Sequence, residues 1–207
     1  KSVAEAVKLC RADFEVEVFH QSGEISRTLL PNAATQLVSA QFLHADLGYS
    51  FATRWRPRVS ARYDVISGDR GGSHYGRFDT LYGMRGAELA PSGLYNTVGR
   101  ANLISPGLSF ELAPNRKNDL YLRYRPLWLA SRKDSFSTSN VRDISGKSGN
   151  FAGNQVEVRW RRWLILDALR FELNGTYLAK GRFLRDAPNS ARTPNTNYGA
   201  VNLTAYF

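Results

Sequence analysis

Arginine alternates along the run from Leu120 to Ala130, which reads LYLRYRPLWLA. Tyr121, Arg123 and Arg125 take one set of positions, and Leu120, Leu122, Tyr124 and Trp128 take the other. A guanidinium stays charged at any ordinary pH and presents a fork of N–H donors, so its chemistry is the holding of anions. The same parity recurs where Arg58 and Arg62 share a face with Asp64, Arg159 and Arg161 with Glu157, and Arg170 and Lys180 with Glu172. Arg58, Arg62, Arg123, Arg125, Arg159, Arg161, Arg170 and Lys180 are therefore the candidate binding residues. Between Leu120 and Ala130 no acid accompanies Arg123 and Arg125, while Glu15, Glu17 and Asp46 make the earlier segments acidic. Positive charge is expected to gather on one wall. The plain alternative is that these arginines only neutralise carboxylates on the same face.

Other chemistry has little support. His20, His44 and His74 are the only histidines, and none has a neighbour at the spacing of a zinc or nucleophile–base motif. SGKSG around Lys147 has the end of a phosphate-binding loop, but Val141 stands where its first glycine belongs. The acidic, glycine-rich stretch from Asp69 to Asp79 could hold calcium, yet it lacks the ligand spacing of a known loop. No enzyme, cofactor or metal is expected.

Period two, which puts alternate side chains on opposite faces, is the signature of a strand. It runs through Phe14–Val18, Phe42–Phe51, Arg58–Val65, Leu108–Leu112, Leu120–Trp128, Val156–Arg161, Leu169–Tyr177 and Val201–Phe207, about eight strands in all. One face is apolar and the other charged. A chain of 207 residues with 43% hydrophobic and 22% charged residues is long and apolar enough for one folded domain, taken here as residues 1–207. Mean hydropathy is −0.38 and there is no long uncharged apolar run, so a membrane role would have to use strands. A net charge of +10 and a pI near 10.0 imply an anionic partner, such as nucleic acid, lipid headgroups or an acidic polymer. Cys10 is the only cysteine, so an internal disulfide is excluded. KSVAEAVKLC lacks an initiating Met and a signal-peptide core, and it reads as the start of an internal fragment.

The connections alternate in length. Gln21–Leu37, Ser67–Ala101, Ser131–Ala152 and Gly181–Thr196 are long and polar, whereas Ala52–Pro57, Ala113–Asn118 and Arg162–Asp167 are short. Long loops on one rim and short turns on the other are the grammar of an antiparallel transmembrane β-barrel in the bacterial outer membrane. Trp55 and Trp163 beside short links, with Trp128 toward the long-loop end, fit aromatic girdles at the lipid interfaces. The closing strand YGAVNLTAYF ends on Phe207 with the parity of a C-terminal signal to the barrel-assembly machinery. Pro106 and Pro126 should sit at one height on neighbouring strands and open a bulge or gap, because proline cannot donate to the ladder.

LGYSF (Leu47–Phe51), PRVSARYDVISGD (Pro57–Asp69), FDTLYG (Phe78–Gly83) and the run from Gly153 through GRFL (Gly181–Leu184) resemble the C-terminal part of the alginate-export family of outer-membrane porins. The resemblance implies a larger barrel of about eighteen strands, of which this chain supplies the last part. It also implies passage of an anionic polysaccharide, or related small anions, through an arginine-lined lumen, with outer-membrane lipids outside and no nucleic acid. Two other readings compete. One is a soluble basic β-barrel binding nucleic acid on Arg and Tyr platforms, and the other is a complete eight-stranded filled barrel acting as an anchor. What the apolar face touches separates the soluble reading from the other two.

Overall fold

The computed structural model describes residues 11–26, 28–80, 89 and 98–207. Cys10, and the Leu81, Tyr82 and Gly83 of FDTLYG, lie outside the described residues. The described chain is an antiparallel sheet of eight long strands: β1 (Arg11–Ser26), β2 (Thr35–Ser50), β3 (Arg58–Ile66), β5 (Leu103–Asn115), β6 (Asn118–Trp128), β7 (Phe151–Ile165), β8 (Leu169–Lys180) and β9 (Thr196–Ala205). A two-residue strand, β4 (His74–Tyr75), lies parallel to the loop-side end of β2, and the one helix among the described residues is α1 (Arg182–Asp186). Each long strand pairs with the one before it and the one after it. Strands β1 and β9 do not pair with each other among the described residues, so the sheet is open.

Every alternating segment falls on a strand, and most strands run further than the alternation, although β2 stops before Phe51 and β9 before Tyr206 and Phe207. The largest departure is the first long connection, where β1 continues to Ser26 and β2 begins at Thr35. Cross-strand hydrogen bonding extends through polar sequence there, because the ladder is made by backbone and does not need an apolar face. The other three long connections stand on one rim and the three short turns on the opposite rim. Strand β9 ends at the turn rim, where the Tyr206 amide donates to the Ala168 carbonyl at 2.8 Å.

Pro106 and Pro126 produce the expected gap. Pairing of β5 with β6 lapses between Ile104↔Trp128 and Leu108↔Tyr124, which sets the two prolines opposite each other. Ser105 Oγ donates to the Pro126 carbonyl at 3.0 Å and satisfies one acceptor left by the lapse. Gly153 begins the pairing of β7 with β8 at a φ of +149°, and a Cβ there would stand 2.2 Å from the Ala179 carbonyl oxygen. No other residue fits that approach.

The two faces have opposite chemistry. Outward are Phe14, Val16, Val18, Leu47, Val59, Leu108, Leu122, Val201 and Leu203, with Phe14 81% and Val201 65% exposed. Inward are His44, Asp46, Ser60, Asp64, Ser109, Arg123, Arg125, Glu157, Asn174 and Thr176, all buried. A water-soluble barrel would do the reverse, since burying one such apolar side chain is worth about 1.5–3 kcal/mol. The apolar belt has the form of a surface for hydrocarbon. Aromatic pairs border it at both rims: Tyr49 with Phe51 at the turn side and Trp128 with Phe151 at the loop side. Trp163 is a correction to the girdle reading, because it pairs with Arg170 and shares the inner face.

An apolar core does exist, at the loop end of the inner face. Phe42, Ile66, Leu103, Leu127, Ala152 and Leu178 supply the wall side, and Phe78, Leu129, Phe136, Phe183 and Leu184 from the loops and α1 cover them. Residues of three of the long connections therefore fold inward over the sheet.

Candidate functional site

Strand register decides which charges meet. The short turn after β2 delivers Arg58 to the inner face opposite Glu111. Its guanidinium binds Asp13 at 2.6 Å, Asp46 at 2.9 Å and Glu111 at 2.8 Å, joining four strands. Arg62, opposite Asp46 in the ladder, donates Nε to its other oxygen at 2.9 Å. Gly48 makes room for this hub, since a Cβ there would lie 2.2 Å from Arg58 Nη2.

On β6 and β7, Arg123 stands opposite Glu157 and Arg125 opposite Gln155. Glu157 is shared, with Arg125 at 3.5 Å and Arg123 at 3.8 Å, and it accepts from Gln155 at 2.6 Å. Arg125 is 1% exposed and sits within the wall. Arg123 donates Nε to the Tyr121 hydroxyl, which also bonds Ser109 at 3.1 Å. Arg123 and Arg159 both lie against the Tyr121 ring, at 4.8 and 5.0 Å from its centre. The expectation of a purely basic β6 face needs correcting here. Strand β6 starts two residues earlier than the alternation did, and that brings Asp119 onto the face, where Arg161 holds it at 2.8 Å and Arg159 stands at 4.0 Å.

The remaining two candidates are at opposite rims. Arg170 lies near the turn rim against Trp163 and Tyr206. Lys180 lies at the loop rim, where its ammonium donates to Thr193 Oγ1 at 2.7 Å and to two loop carbonyls. Thus Arg123, Arg125, Arg159 and Arg161 form one group, Arg58 and Arg62 another, and Arg170 and Lys180 stand apart.

Charge is divided unevenly across the inner wall. Strands β1, β2, β3 and β5 point Asp13, Glu15, Glu17, Asp46, Asp64 and Glu111 inward against Arg11, Arg58 and Arg62. Strands β6–β8 point Arg123, Arg125, Arg159, Arg161, Arg170 and Lys180 inward against Asp119, Glu157 and Glu172. The balance reverses from one half to the other.

Sequence reasoning missed two arrangements. His44 Nδ1 and Asp64 Oδ1 are 2.6 Å apart and both residues are 2% exposed. Their only signal was common parity, which register converts into contact. The second is a junction between the loops at 67–102 and 129–150. Arg77 reaches Asp134 at 2.9 Å, and Asn102 donates to the Ser131 and Ser135 carbonyls while accepting from the Ser131 amide at 2.7 Å. Within the second loop, Asp143 accepts from Ser145 and Ser148, and these bonds hold its carboxyl well below the usual carboxylate range. Asp69, one of the residues weighed for calcium, accepts instead from the Gly71 and Gly76 amides.

The wall offers forks of N–H donors and aromatic faces, which is the equipment for anions. A family model described as alginate export matches residues 4–197. No curated protein matches the chain. A sheet of eight long antiparallel strands with its apolar face exposed and its charges turned inward is what that match leads one to expect, and the chain belongs to the alginate export family, an outer-membrane, porin-like transport family.

Proposed function

We propose that this sheet forms one side of an outer-membrane channel through which an anionic polysaccharide of the alginate type, or related small anions, diffuses along the basic strands β6–β8. The observation that carries the reading is the reversal of charge between the two halves of the wall. A polyanion drawn to one side experiences a field that extends about 8 Å at physiological ionic strength and further at low salt. In this reading the open edges of β1 and β9 are closed by further strands of a barrel of about eighteen, since an unpaired backbone group in hydrocarbon costs several kcal/mol.

The test is the reversal potential under a potassium chloride gradient in planar bilayers. Wild-type protein should prefer anions, more strongly at low salt, and replacing Arg159 and Arg161 with Gln should move the reversal potential toward the cation value. Wild-type protein without anion preference, or a double variant indistinguishable from it, would overturn the reading. Phe207, fully exposed at the end of the chain, is assigned to recognition by the assembly machinery. Its deletion should lower the amount of protein in the outer membrane severalfold without changing the unfolding midpoint of the protein that does assemble; normal levels would refute that role.

A further inference from the structure

Arg170 differs from Arg58, Arg62, Arg123, Arg125, Arg159 and Arg161, each of which has a carboxylate within 4.0 Å. No carboxylate lies within ion-pair distance of it among the described residues, and its buried Nε has no hydrogen-bond partner there. What it has instead is aromatic. Its guanidinium carbon lies 5.6 Å from the centre of the Trp163 ring and 5.5 Å from that of Tyr206, and the two rings stand 5.4 Å apart at 45°. Register explains the cluster: Trp163 is opposite Arg170 on one side, and Thr204 is opposite it on the other. Tyr206, two residues beyond Thr204, falls on the same face and remains 45% exposed.

Rim aromatics that serve as lipid anchors face outward; Trp55, in the short turn after β2 at the same rim, is 53% exposed. Trp163 and Tyr206 face the lumen, where there is no hydrocarbon to anchor in. Two adjacent ring faces beside a cation with no carboxylate at ion-pair distance among the described residues match one kind of guest. The pyranose ring of a uronate carries a face of C–H groups, which an aromatic ring covers, and a carboxylate, which a guanidinium binds. A neutral hexose has the first feature without the second. The same pairing of ring and cation recurs further along the wall, where Arg159 and Arg123 flank Tyr121.

We infer that Trp163, Tyr206 and Arg170 form a uronate-binding subsite at the turn-side mouth, where a polyuronate chain first meets the wall on its way out. This inference rests on the reading of the wall as a polyuronate path, and it adds the sugar ring to the charge as a thing recognised.

The experiment measures the duration of current blocks in planar bilayers when a mannuronate hexamer is added on the turn side of the full-length protein. Trp163→Leu should shorten the blocks about tenfold, the scale of losing one stacked ring. Trp163→Phe should restore most of the block time, and Trp55→Leu should leave it as in wild type. Arg170→Gln should shorten uronate blocks while leaving blocks by a neutral maltohexaose unaltered. If Trp163→Leu does not insert, Tyr206→Leu, at the more exposed ring, carries the same expectation. Blocks of wild-type length in the Trp163, Tyr206 and Arg170 variants would overturn the subsite and leave the channel standing. A wild-type channel that the hexamer never blocks would overturn both.

Discussion

The two halves of the inner wall use the same residue in different ways. At β3, Arg58 has three carboxylates within 2.9 Å and functions as a tie between strands. At β6 and β7, each carboxylate serves two arginines: Glu157 lies 3.5 and 3.8 Å from Arg125 and Arg123, and Asp119 lies 2.8 and 4.0 Å from Arg161 and Arg159. Arginine type and inward parity are common to both halves. What differs is the number of acids that register brings opposite, and that number decides whether an arginine is consumed in holding the wall or leaves a positive field in it. A list of inward arginines is therefore not a list of anion sites.

Three substitutions sharpen this contrast. The largest effect should come from Asp46→Ala, which removes a carboxylate held by both Arg58 and Arg62. Removing one partner of a buried ion pair costs roughly 3–5 kcal/mol, and the partial exposure of Arg58, 23%, places this case near about 3 kcal/mol. Urea unfolding in detergent measures it, and a loss below about 1 kcal/mol would mean that the hub does not tie the strands.

Glu157→Gln probes the other half. With longer contacts and a polar amide remaining, about 2 kcal/mol of stability should be lost. Selectivity for anions should rise, because the shared counter-charge of Arg123 and Arg125 is gone. An equal rise in the Asp46→Ala protein would erase the distinction between the halves.

The smallest effect lies outside the sheet, at Asp143. Its carboxyl is depressed by donors from Ser145 and Ser148, so its contribution to loop order is fully present above the unfolded carboxylate value of about 3.9 and is lost as pH falls through the lower folded value. Amide hydrogen exchange around Ser145 and Ser148 should quicken severalfold in Asp143→Asn at neutral pH, with the unfolding midpoint of the sheet unchanged. Exchange at the wild-type rate would show that the loop is held by its junction with Arg77 and Asn102 instead.

By itself the sequence determined the strands, their two faces and the rim on which each connection lies. The reason is that period two is a local property: a strand with one face in an apolar medium must alternate, whatever its neighbours do. The gap at Pro106 and Pro126 was legible for a similar reason, since a missing N–H is missing in any fold. Tertiary structure alone decided which charges cancel. Asp119 joined the β6 face because pairing with β7 continued two residues past the alternation, and Trp163 turned inward because the ladder kept its register through Arg170 before slipping at Ile165. The loop end of the inner face became an apolar core because Phe78, Phe183 and Leu184, distant in sequence, joined Leu127 there. Register and loop docking are sums over many backbone hydrogen bonds and apolar contacts between distant segments, and no single stretch of residues encodes them.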